Sequence, residues 1–61
     1  MKIKRKGAIV KYCGKDAEFI KIWGDIFEVH HKEGDFLRVS SVKKPIFGIV
    51  ATLPEKECIL L

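Results

Sequence analysis

The side chains of this 61-residue chain best suited to metal ligation or nucleophilic chemistry are Cys13, Cys58, His30 and His31. These are the residue types of a zinc site, but their spacing does not make one. There is no Cys-x-x-Cys pair, and adjacent histidines on a strand point to opposite faces. No Ser-His-Asp or Cys-His arrangement goes beyond the presence of the residue types. The carboxylates Asp25, Glu33 and Asp35 all sit beside glycines in turn-like segments. The expectation is a non-enzymatic chain with no metal, no cofactor and no catalytic residue.

The last four residues, Cys58-Ile59-Leu60-Leu61, match a prenylation box. The stretch before them, Pro54-Glu55-Lys56-Glu57, is acidic where a lipid anchor wants basic residues. A final strand pairing beside the first is therefore the expected role, because so small a core needs that apolar surface. Two reduced thiols are the expected state, although the strands holding Cys13 and Cys58 could be neighbours. Disulfide-stapled chains of this size usually carry more cysteines.

Charge is distributed unevenly. Residues 1–15 hold six basic side chains and no acidic one, although the net charge of the whole chain is only +4. Lys2, Lys4 and Lys6 alternate, so on a strand they would line one face, with Arg5, Lys11 and Lys15 nearby in sequence. Such a segment could track a nucleic-acid backbone and bind in a salt-dependent way. The commoner reading of such a cluster is a solvated edge whose lysines prevent strand-to-strand aggregation. Lys11 and Lys15 also break up the apolar core that a signal peptide would need. No apolar run approaches the length of a membrane-spanning helix, and a cytoplasmic location is expected.

Aromatic residues are the other candidates. Trp23 precedes a turn, and four phenylalanines cannot all fit inside so small a core if strand alternation holds. Phe36 is the one expected at the surface. Tyr12, Trp23 and Phe36 together are the candidate partner-binding residues, because such side chains dominate interface energetics.

The elements that must position these groups are short. Glycines and prolines punctuate the chain into six strand-length segments: residues 8–13, 18–23, 26–31, 36–40, 46–52 and 57–61. Phe27 and Val29 alternate with polar residues, as do Leu37 and Val39, which is the period-2 pattern of strands with one buried face. No glycine-free window carries a long helical stripe. Length and pattern together predict one all-β domain over residues 1–61, a small barrel of five or six short antiparallel strands.

From Ala8 to Ala51 the order of signals resembles an SH3 domain. Ala8-Ile9-Val10-Lys11-Tyr12 is similar to the family's opening Ala-Leu-Tyr-Asp-Tyr. Trp23-Gly24-Asp25-Ile26-Phe27-Glu28-Val29 is similar to its Lys-Gly-Asp-x-Leu-x-Val segment. Lys32–Val39 resembles the acidic loop leading into Trp-Trp-x-Ala, and Gly48-Ile49-Val50-Ala51 resembles Gly-x-Ile-Pro. The resemblance implies an SH3-like barrel whose aromatic groove would keep Tyr12 and Phe36, with Val10 in place of a tyrosine and Ala51 in place of the groove proline. Lys6 to Asp16 is also similar to the KOW motif, which implies contact with RNA or protein on the same kind of barrel.

The function expected from all this is a stand-alone binding module or regulator that docks one barrel face on another protein. By analogy, it is of the kind carried by phages and mobile elements. The alternative is a nucleic-acid-binding barrel using Lys2, Lys4, Arg5, Lys6, Lys11 and Lys15. Self-association through an open strand edge is left open.

Overall fold

The computed structural model describes residues 7–61. Five strands form one antiparallel sheet in the order β4-β3-β2-β1-β5. They are β1 (Ile9–Tyr12), β2 (Ile26–Glu33), β3 (Phe36–Ser41), β4 (Ile49–Pro54) and β5 (Cys58–Leu60), with one helix, α1 (Ala17–Trp23), between β1 and β2. β2, β3 and β4 form a meander, and the chain then returns β5 to the far side of β1.

Alternation decides which faces are buried. Val10 and Tyr12 of β1, Phe27 and Val29 of β2, and Leu37 and Val39 of β3 point to the same side, where Leu53 of β4 joins them. These seven residues form the core, and α1 covers part of it. The expected β-face pairs Phe27/Val29 and Leu37/Val39 are all buried.

Two expectations are corrected. The segment 18–23 is a helix, not a strand. Asp16 caps it, its Oδ1 accepting the Phe19 N–H at 3.0 Å, and Gly24 (φ 80°) ends it by donating its N–H to the Ile20 carbonyl at 2.7 Å. Asp at the cap and glycine past the end are the usual helix boundaries. Within α1, Phe19, Ile20 and Trp23 stand at i, i+1 and i+4, and all three pack on the core.

The second correction concerns closure. Among the described residues the sheet is open, with β4 and β5 as its two edges and no pairing between them. Register shifts between Val29 and His31 and between Val39 and Ser40 mark bulges on either side of β3. Bulges increase local twist, so the sheet coils around its core without completing a ring. The described residues form a mostly-β domain with five strands and one short helix.

Candidate functional site

Tyr12 is only 8% exposed. Its ring meets Phe19 and Phe27 edge-on, with centroids 5.6 and 6.4 Å away. Such edge-to-face geometry suits the ring quadrupole. Burial pushes the phenol above its ordinary value of 10.0, with Glu57 and Asp16 adding to the shift. The ring also occupies the space where a side chain at Gly14 would sit. Tyr12 therefore belongs to the core, as its alternation with Val10 on β1 requires.

Trp23 is half-buried at the end of α1. One side packs on the core, and Phe47 stands edge-on to it at 5.6 Å. Lys44 Nζ lies 5.4 Å from the ring centre, within cation–π range. Beneath this group, Ser41 Oγ donates to the Trp23 carbonyl at 2.6 Å and accepts the Lys44 N–H at 3.2 Å. One buried hydroxyl thus ties the helix end to the β3–β4 connection.

Phe36 is elsewhere, at the opposite end of β3, and is 47% exposed. Directly across the ladder stands Pro54, the last residue of β4. A short 3-10 turn, Glu55–Glu57, follows, and the Glu55 N–H donates to the Asp35 carbonyl at 2.9 Å. The β2–β3 turn and the β4–β5 turn are thereby clamped side by side. Between them lies a concavity of about 590 Å³ lined by Asp35, Phe36, Pro54, Glu55, Lys56 and Cys58. Glu55 pairs with Lys32 at 3.1 Å, whereas the Asp35 carboxylate has no ion-pair partner among the described residues.

Cys58 brings a thiol to this concavity. Desolvation, with smaller contributions from Cys13 and nearby carboxylates, pushes its thiol up to about 11. It is protonated at neutral pH, and a protonated thiol is a poor nucleophile. Both cysteines are free thiols. Only Cys58 lies on a strand, opposite Tyr12 in the β1–β5 ladder, and Cys13 follows the end of β1.

The structure therefore does not bring Tyr12, Trp23 and Phe36 onto one surface. Ala51, which the resemblance puts in place of a proline, lies mid-strand opposite Val39 and not beside Phe36, whose partner across the ladder is Pro54. That pairing joins distant parts of the chain, and no local pattern announces it. Among the basic candidates, Lys11 and Lys15 are exposed, while Lys2, Lys4, Arg5 and Lys6 lie outside the described residues.

The histidines make local contacts. His30 Nε2 lies 3.0 Å from Ser40 Oγ, and His31 Nε2 lies 3.2 Å from Glu33 Oε2. Among the described residues no group of three or more His, Cys, Asp or Glu could hold a metal ion. No helix among them is long and apolar enough to cross a membrane.

In comparisons with known proteins, no family model, no curated protein and no solved structure matches the chain.

Proposed function

We propose that this chain is a non-catalytic protein-docking module of SH3-like type. Its concavity around Phe36 and Pro54 takes an extended segment of a partner in which an apolar residue or proline stands beside a basic one. One observation carries the reading. Phe36, a large aromatic left half-exposed, faces Pro54 in a formed hollow whose lining includes the Asp35 carboxylate, unpaired among the described residues. Aromatic-lined hollows bind apolar and proline-rich segments through contact area, and a carboxylate at the rim selects a neighbouring cation.

The SH3-like assignment is supported by the order of sequence signals and by the meander that returns its last strand to β1. Within the same hollow, burial raises the Cys58 thiol and so disfavours the nucleophilic thiolate.

Selection of short random peptides displayed on phage against the full chain tests this. Enrichment of sequences pairing Lys or Arg with proline or an aliphatic residue is expected, with capture lost on Phe36→Ala. No enrichment, or enriched peptides that bind the Phe36→Ala chain equally well, would sink the proposal.

A further inference from the structure

The β3–β4 hairpin has two poles of opposite character. Its open end is the Phe36–Pro54 hollow. Around it the two clamped turns, residues 32–36 and 54–58, hold four carboxylates against two lysines. Its closed end is the connection from Val42 to Gly48, which carries Lys43 and Lys44 and no acidic residue.

This closed end is apolar at its tip. Ile46 is 88% exposed and Phe47 60% exposed. They are held out by a 3-10 turn that Pro45 starts and Gly48 ends, its φ of 67° suiting glycine. Ser41, Trp23 and Lys44 brace the turn from below. A large aliphatic side chain presented this way on a braced turn is a pre-organised ligand, since little entropy remains to be lost when it docks.

The tip cannot enter its own hollow. The six-residue β3 separates the two poles by roughly 17 Å at about 3.3 Å per residue. We infer that the partner of the hollow is a second copy of this chain, which inserts Ile46 of its Lys43–Phe47 tip against Phe36 and Pro54. This rests on the docking function proposed above and names its occupant. The tip supplies the apolar residue, the proline and, in the exposed Lys43, the basic residue that the hollow calls for, and Lys43 meets the Asp35 end of the other copy. Because hollow and tip are different surfaces on opposite poles, the contact is head-to-tail and can repeat from copy to copy.

Sedimentation velocity on the full chain from micromolar to millimolar concentration tests this. Self-association is expected to grow with concentration and to weaken at about 1 M salt, where charges more than roughly 3 Å apart are screened. Ile46→Glu removes the tip and Phe36→Ala removes the hollow, and each variant alone should remain monomeric with unchanged circular dichroism. Mixed together, they should form a 1:1 dimer that grows no further, because one retains a hollow and the other a tip.

A chain monomeric at millimolar concentration overturns the inference. If a phage-selected basic peptide still shifts the NMR signals of Phe36 in that monomer, the docking function stands and its occupant is foreign. If no peptide is selected, both fail together. Binding of the monomeric chain to phosphatidylglycerol vesicles through Ile46 would likewise overturn the inference by giving the tip a lipid partner.

Discussion

Phe36 and Pro54 are direct partners across the β3–β4 ladder, so their side chains rise from the same face at the end of the sheet. In the proposed docking function, this pairing forms the floor of the contact surface. Phe36→Ala is expected to weaken capture of a selected peptide by roughly tenfold or more, in keeping with loss of an aromatic anchor. Because the ring is half-exposed, urea melts of the variant should shift by less than about 1.5 kcal/mol, the low end for burying such a side chain. Calorimetric titration and urea melts on the same samples check both halves.

Gly14 is held by lack of space, not by an unusual backbone angle, since its φ is not positive. A methyl group there would overlap the Tyr12 ring. Gly14→Ala is expected to cost about 1–3 kcal/mol, as overpacking does, and to broaden the aromatic NMR signals of Tyr12, Phe19 and Phe27. An unchanged denaturation midpoint would show that the ring can move aside at no cost.

Ser41 is fully buried and serves two backbone groups at once. Ser41→Ala strands the Trp23 carbonyl and the Lys44 N–H, and leaving a buried polar group unpaired costs about 1–3 kcal/mol. The variant should also release the 42–48 connection. Faster amide exchange at Lys44 and Phe47, and altered fluorescence of Trp23, are the expected signatures.

Alkaline pH should destabilise the fold. Burial holds both Tyr12 and Cys58 neutral, so the folded chain keeps these protons more tightly than the unfolded one. The stability this contributes is fully present below the ordinary thiol value of 9.0. It is lost as pH rises through the raised values, about 11 for Cys58. Urea midpoints should therefore fall between pH 9 and 11. Cys58→Val should flatten the part of that fall due to the thiol.

The strands were legible where alternation was clean. Phe27 and Val29, and Leu37 and Val39, could only share a buried face, and the same logic applied to Val10 and Tyr12 puts the tyrosine inside. The helix was not legible, because Ile20, Ile22 and the aromatics of α1 favour strands and its seven residues are too few for a long helical stripe. Its true signals were the capping Asp16 and the terminating Gly24.

At the candidate site, Phe36 could be singled out as the surplus aromatic. Pro54 could not, since its place beside Phe36 depends on the register of β3 against β4. Ile46 and Phe47 read as strand interior, yet Pro45 and Gly48 on either side of them make a turn that turns both outward. An open sheet also reads like a closed one in sequence, because closure depends on how far the bulges bend the strands.

The return of β5 to β1 has a kinetic consequence. Glu33 pairs with Phe36 across a tight turn, whereas Val10 pairs with Leu60 from the other end of the described chain. Closing so long a loop costs entropy before any contact repays it. The meander of β2, β3 and β4 should therefore form the folding nucleus, and β5 should dock late. Truncations of Ile59 or Leu60 should accelerate unfolding and leave the refolding rate almost untouched, whereas truncations of Val39 should slow refolding.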